Sequence, residues 1–293
     1  CVGNFTVGGS GKTPLALLVA QLVADEGRAP WFLSRGYGGR LPGPIQVEPG
    51  VHGSADVGDE PLLLARAAPT VISRDRAKGA QFIETAAPSN AVIIMDDGLQ
   101  NPSLAKDLVI AVVSGDRGLG NGHVIPAGPL RAPLASQIGL ANVIVVTGQT
   151  NAAHGAVRET LRKLTQAPLL SATTRASEDA ASLRGRRVVA YAGIANPERF
   201  FTMLEGLGAT IVERRAFGDH HAFSDTEARG LVDTARRMSA DLVTTEKDLA
   251  RLSGASGVSA ELRDRSRVLK IETVIESVDL AILRQKISEA IRT

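Results

Sequence analysis

Cysteine occurs once, at position 1, so this 293-residue chain can form no internal disulfide and no cysteine-ligated metal cluster. Aromatic residues make up only 3%. That leaves Ala, Val, Leu and Ile to build the core, as α/β architecture does. No run of about eighteen apolar residues is present, the length that would suggest a membrane span, and the N-terminus lacks a signal-peptide pattern. An excess of one charge is also missing, since 33 Lys and Arg face 31 Asp and Glu for a net +2. No basic tract interleaves with aromatic residues, so no nucleic-acid partner is expected, and no motif calls for an obligate protein partner. A hydrophobic content of 44% with 22% charged residues describes an ordered chain, long enough for two medium domains with real cores. Because Cys1-Val2-Gly3 reads as part of a strand, a further segment is expected upstream.

The chemistry begins at Thr6-Val7-Gly8-Gly9-Ser10-Gly11-Lys12-Thr13. A short strand precedes this stretch and an apolar helical run, 14–23, follows it. Strand, glycine loop and helix in this order make a phosphate-binding loop: backbone N–H groups and a helix N-terminus surround phosphate oxygens, Lys12 meets their charge, and the Thr13 hydroxyl can ligate Mg²⁺. Thr6 stands where the general pattern has glycine.

Short β-rich runs at 30–34, 70–73, 91–95, 108–114 and 142–147 alternate with helical patterns at 60–68 and 74–87, predicting a doubly wound parallel sheet with ligands at the C-terminal strand ends. A second series has strands at 168–173, 187–192, 210–214, 241–245 and 268–271, with helices at 197–207, 224–238 and 277–291. Pro197 and the Ser224/Glu227 spacing supply helix-start signals. We expect residues 1–155 to form a nucleotide-binding and catalytic domain of the P-loop nucleoside triphosphate hydrolase fold, and 156–293 a smaller α/β domain closing over its cleft.

Several polar clusters fall at strand ends. Asp96-Asp97 closes an apolar run, where carboxylates can hold Mg²⁺ beside phosphates; by itself Asp-Asp-Gly also makes a turn. Asp59 can cap the helix it precedes, or orient and deprotonate an alcohol acceptor. Arg35 and Tyr37 sit in a glycine-rich loop that serves phosphate recognition or is simply solvated. Arg117, His123 and Arg131 are candidates of the same anion-facing kind. His220 in Gly218-Asp219-His220-His221 can share a proton with a carboxylate or belong to a capping turn. Thr245-Glu246-Lys247-Asp248 can bridge domains or cap the next helix.

Taken in order, Gly3-Asn4-Phe5-Thr6-Val7-Gly8-Gly9-Ser10-Gly11-Lys12-Thr13-Pro14, Ser34-Arg35-Gly36-Tyr37-Gly38-Gly39, Gly58-Asp59-Glu60-Pro61, Asp96-Asp97-Gly98-Leu99-Gln100, Gly120-Asn121-Gly122 with Pro126-Ala127-Gly128-Pro129-Leu130-Arg131, Asp219-His220 and Thr245-Glu246-Lys247-Asp248 resemble the tetraacyldisaccharide 4'-kinase family, the lipid A kinases of Gram-negative bacteria. Thr6 fits that family's own form of the loop. The resemblance implies ATP- and Mg²⁺-dependent phosphorylation of the 4'-hydroxyl of an acylated glucosamine disaccharide 1-phosphate. It also implies peripheral attachment to the cytoplasmic face of the inner membrane, helped by an apolar N-terminal helix. By the same resemblance Lys12 and Thr13 serve nucleotide and metal, Asp96 and Asp97 complete the metal region, Asp59 is the base, and His220 supports it. Arg35, Tyr37 and Arg131 fall near phosphates or acceptor. The chain departs from the family pattern at Asn101, commonly His, and at Ala132, commonly Glu. The alternative is a P-loop ATPase switch acting on a protein partner, in which the Arg35 and Asp59 loops would have no special role.

Overall fold

The computed structural model describes residues 1–292. From the N-terminus, β1 (Val2–Asn4) runs through the glycine loop into α1 (Lys12–Asp25), then β2 (Ala29–Ser34), β3 (Ile45–Gln46), the single-turn α2 (Ser54–Val57), α3 (Asp59–Leu64), β4 (Thr70–Ile72), α4 (Arg76–Ala86) and β5 (Ala91–Met95). There follow β6 (Ile110–Ser114), α5 (Leu134–Ile138), β7 (Val143–Thr147), α6 (Ala152–Arg162) and β8 (Leu169–Ala176). A second series comprises β9 (Arg187–Ala192), α7 (Pro197–Gly206), β10 (Thr210–Ala216), α8 (Asp225–Arg237), β11 (Asp241–Thr245), α9 (Glu246–Arg251), α10 (Gly257–Arg265) and β12 (Ser266–Leu269). The chain ends in β13 (Ile271–Ile275) and α11 (Ser277–Ile291).

Two sheets make the first lobe, ordered β3-β4-β2-β5 and β1-β6-β7-β8-β13, with every neighbouring pair parallel except those of β3 and β13. They meet where Val2 bridges Asp96 and the Asp97 N–H donates to the Val2 carbonyl at 2.9 Å. β1 therefore lies between β5 and β6, the place where strand order reverses and a crevice opens beyond the carboxyl ends of the strands. One face is sealed by α1 and α11, whose Leu15, Val19, Leu283 and Ile287 pack on Val112, Val145 and Leu170. The other buries Phe5, Leu99, Val113, Ile144 and Val146. Burial on both faces is why these strands read as unbroken apolar runs rather than alternating ones.

The second lobe is a parallel sheet in the order β10-β9-β11-β12. Alternation along β9 sends Val188 and Ala190 toward α7 and Val189 and Tyr191 toward α8.

The expected division at 155/156 does not match this pairing. β8 extends the first sheet beside β7, and β13 returns to pair antiparallel with β8. α11 then packs on α1, and Asp279 accepts from the Ser171 N–H at 2.7 Å. The smaller lobe is thus an insertion from about Glu178 to Leu269, entered and left side by side where the Ser177 N–H donates to the Lys270 carbonyl. The run at 268–271, expected as one strand, is split at Lys270 between the two lobes.

Candidate active site

The glycine loop occupies the crevice at the end of β1. Gly8 and Gly11 have φ of 99° and 85°, left-handed values that permit the loop to wrap without side-chain clashes. The loop is pinned on three sides. Val7 N–H donates to the Pro129 carbonyl at 2.9 Å, Asn4 Nδ2 to Ser10 Oγ at 3.1 Å, and Thr147 Oγ1 to the Ser10 carbonyl at 2.8 Å. Thr6, Val7, Gly8, Gly9 and Ser10 line one wall of a cleft of about 230 Å³, opposite Ser114 and Arg117. Arg117 stands over Gly8, where a Cβ would lie 3.3 Å from its Nη1, and its Nη2 reaches the Ala195 carbonyl of the second lobe at 3.3 Å. It thus lines the glycine-loop cleft and touches the second lobe. His123 is exposed beside this loop system, and its carbonyl accepts from the Leu130 N–H.

At the base of the crevice six acidic and basic groups gather beside the loop. Lys12 Nζ lies 3.7 Å from Asp97 Oδ1, and Arg131 Nη2 lies 3.0 Å from Asp97 Oδ2. Arg131 Nε also donates to the Thr6 carbonyl, so this arginine ties the glycine loop to the carboxylate. Asp96 is buried, accepts from Ser34 Oγ at 3.3 Å on Oδ2, and has no donor on Oδ1. Burial first, then the charges of Glu60 and Asp97, push its carboxyl up to about 7. Thr13 Oγ1 donates to Glu60 Oε1 at 3.5 Å, and Lys247 Nζ from the second lobe sits 2.6 Å from the same oxygen. Burial pushes the Glu60 carboxyl up, but the Lys247 charge and hydrogen bond outweigh it and the net direction is down.

The donor set suits a hard divalent cation. Asp96 Oδ1 and Asp97 Oδ1 are both buried without hydrogen-bond partners, and the Thr13 hydroxyl is adjacent to Glu60. No group of three or more His, Cys, Asp or Glu among the described residues forms a cage of its own. Few protein oxygens, with the remaining positions left to phosphate and water, is how Mg²⁺ is usually held beside a nucleotide.

The third cluster crosses the lobes. Gly58, at φ 90°, turns the chain into α3 so tightly that a Cβ there would lie 2.3 Å from the Tyr37 carbonyl. Asp59 is the first residue of α3 rather than its cap, and its Oδ1 accepts from the Glu60 N–H at 2.9 Å. Oδ2 points to the second lobe, receiving a hydrogen bond from Arg251 Nε at 2.8 Å and lying 3.2 Å from His220 Nδ1. Arg251 Nη2 touches the same oxygen at 2.7 Å as an ion pair outside hydrogen-bond geometry. Burial raises the Asp59 carboxyl, yet the His220 hydrogen bond and the Arg251, His220 and Lys247 charges overcome it, holding it far below the usual range. His220 moves the other way, raised chiefly by its hydrogen bond to Asp59 against the opposing effect of partial burial.

His220 itself has φ 58°, and Asp219 Oδ1 accepts its N–H at 3.1 Å, so the residue sits in a turn while its ring contacts Asp59. Its neighbour His221 turns away, stacks on Phe217 at 4.8 Å and pairs with Glu227 at 3.0 Å. Tyr37 is 71% exposed and meets the His220 ring edge-on at 5.9 Å. Arg35 is exposed at the end of β2 and has no ion-pair partner among the described residues. Glu60 and Arg251 escaped the sequence reading. Their signals were adjacency to Asp59 and an i, i+4 spacing from Lys247 that puts both cations on one face of α9. Within Thr245–Asp248 both open roles hold, since Thr245 Oγ1 caps α9 by accepting from the Asp248 N–H while Lys247 bridges the lobes.

The family model for tetraacyldisaccharide-1-P 4'-kinase matches residues 1–291. The chain belongs to that family. The 4'-kinase of Methylobacterium radiotolerans is 49% identical over 291 residues, spanning 99% of this chain and 85% of the relative. That of Methylobacterium nodulans is 48% identical over 98% of this chain and 82% of its own length. A crystal structure of LpxK from Aquifex aeolicus in complex with ATP superposes with a TM-score of 0.76 at 27% identity, covering 99% of this chain and 87% of that one. The bilobed α/β kinase fold is therefore shared. At the two departures from the 4'-kinase pattern, Asn101 Oδ1 accepts from Ser103 N and Oγ, and the Ala132 carbonyl accepts from Gln137 Nε2 at 2.6 Å.

Proposed function

We propose that this chain catalyses ATP-dependent phosphorylation of a tetraacyldisaccharide 1-phosphate at its 4'-hydroxyl, a step of lipid A biosynthesis, with the Asp59–His220 pair receiving the hydroxyl proton. The observation that carries the site assignment is the 3.2 Å contact between an Asp of one lobe and a His of the other, beside the glycine loop. In this reading the first lobe is a P-loop nucleoside triphosphate hydrolase fold, with backbone groups of residues 6–13 and Lys12 holding the triphosphate. Arg117 serves the nucleotide side, while Tyr37, Arg35 and Arg131 border the acceptor. Mg²⁺ would be held by Thr13, Asp96, Asp97 and Glu60, and would supply positive charge to offset that of the phosphates.

A sugar hydroxyl is a very weak acid, so its proton leaves as the new P–O bond forms rather than beforehand. Asp59, held ionised by Arg251 and His220, is ready to take that proton without needing a raised basicity. Contacts from Lys247, Arg251 and His220 close the second lobe over the crevice and exclude water, the competing acceptor. No helix among the described residues is long and apolar enough to cross a membrane. The acyl chains of the acceptor nevertheless require the site to work at a membrane surface, and the need for ATP sets that surface as the cytoplasmic face of the inner membrane.

With ATP, Mg²⁺ and the tetraacyl disaccharide 1-phosphate in mixed micelles, mass spectrometry should find one added phosphate on the 4' position. Asp59→Ala should lower kcat by about 10³-fold while ATP affinity stays close to that of the parent protein. His220→Ala should cost about tenfold to a hundredfold. Unchanged turnover in a folded Asp59→Ala protein would remove Asp59 from the proton path, and acceptor-independent ATP hydrolysis stimulated by a protein partner would favour a switch instead.

A further inference from the structure

We propose that Arg251, at the end of α9 in the second lobe, is a positioning residue that fixes the plane of the Asp59 carboxylate so that its Oδ1 edge faces the acceptor hydroxyl. The inference deepens the reading above and rests on Asp59 lying in the proton path.

Arg251 is built in from every side. Its side chain is 7% exposed and that of Asp59 6%, so the contact is nearly dry. Nη1 is held from behind by Asp248 Oδ1 at 2.7 Å and by the Gly193 carbonyl. Asp248 is fully buried, and its Oδ1 also accepts from the Gly193 N–H at 3.0 Å, while its Oδ2 accepts from Thr245 Oγ1 at 2.6 Å. The main chain is anchored as well, since the Arg251 carbonyl accepts from Ser54 Oγ in the first lobe at 3.0 Å. A guanidinium fixed at one edge by Gly193, just after β9, and by Asp248 within α9 therefore presents its other edge to Asp59.

The consequence is directional. Oδ2 is occupied by Arg251 and His220, whereas Oδ1 has only the Glu60 N–H. Oδ2 pinned by Arg251 Nε on one side and His220 Nδ1 on the other opposes rotation of the carboxylate about its Cβ–Cγ bond, and the guanidinium that delivers Nε is itself held by Asp248 and Gly193, as an ammonium on a flexible stem would not be. Arg251 touches neither phosphate loop nor nucleotide cleft, so its effect should appear in turnover rather than in binding.

The test is a double-mutant cycle with Asp59→Asn, run with ATP, Mg²⁺ and the acylated disaccharide on proteins checked for folding by circular dichroism. Arg251→Met is expected to lower kcat by about 10²-fold, the effect of a misplacement near 1 Å. The KM values for ATP and acceptor should stay within about twofold, because uniform binding is untouched. In the Asp59→Asn background the same change should cost less than about threefold, since Arg251 acts only through that carboxylate. Arg251→Lys retains the cation, and should fold yet recover only part of kcat, staying about tenfold below the parent protein. If Arg251→Met does not fold, Arg251→Lys goes through the same cycle. Losses that multiply across the cycle, or parental kcat in Arg251→Lys, would reduce Arg251 to a tie between lobes and overturn the inference. Parental turnover in Asp59→Asn alone would instead overturn the Asp59 reading on which it stands.

Discussion

Position 96 holds a buried carboxylate with one oxygen lacking a donor, a costly arrangement at the position proposed to face metal and triphosphate. Function and stability oppose each other there. Asp96→Asn removes the charge, keeps an acceptor for Ser34, and should raise the melting temperature of the nucleotide-free protein at pH 8 by about 3 °C, the scale of roughly one kcal/mol. The same change should abolish detectable turnover; a lower melting point would show that the carboxylate is compensated some other way. Asp96 was legible as a candidate because it directly follows an apolar strand in a chain that also carries a glycine loop. Glu60 was not, because sequence places Asp59 and Glu60 side by side without saying that one faces Arg251 and the other Thr13 and Lys247. Helix phase and lobe position decide that.

Helix α8 shows how much an element can announce. Ser224 Oγ accepts from the Glu227 N–H at 3.3 Å, and Glu227 Oε2 accepts from the Ser224 N–H at 2.8 Å and pairs with His221. Ser224→Ala should cost about 1 kcal/mol in denaturant unfolding. The Ser224 N–H, then the His221 hydrogen bond, lower the Glu227 carboxyl to about 2 from its ordinary 4.5. The unfolded chain therefore takes up this proton first as pH falls, and the contribution of Glu227 is complete above about 4.5 and lost on descent toward 2. Glu227→Gln should flatten that part of the stability profile; an unchanged acid slope would contradict the assignment. α7 was equally plain from Pro197, and the buried strands from their apolar runs. α10, β3 and β13 carried no comparable signal. α10 is nearly even in polarity around its surface, β3 is two residues long, and a single residue, Lys270, separates β13 from the end of β12.

Across the whole molecule, the two lobes meet through charge and through a small apolar contact in which Ala250 of α9 is buried against Val57, Leu62 and Leu63 of the first lobe. Lys247 on Glu60, Arg251 and His220 on Asp59, and Arg117 on the Ala195 carbonyl join surfaces that each lobe builds separately. Lys247→Met leaves Glu60 without its cation and should destabilise the closed arrangement by about 1–2 kcal/mol, a value reduced by partial solvent screening. Small-angle scattering of the ligand-free variant should show a larger radius of gyration with both lobes still folded; identical scattering curves would mean that the other bridges suffice. Apolar strand runs, helix-start residues and the order Thr6–Thr13, Asp59, Asp96, His220 determined the class of fold and the kind of chemistry from sequence alone, because each is a short-range pattern of residue type. Only the tertiary structure decided that β13 and α11 return to the first lobe, that Arg251 grips Asp59, and that Lys247 faces Glu60. Those pairings join residues far apart in the chain, and polarity along the chain carries no record of which distant partner a buried charge will meet.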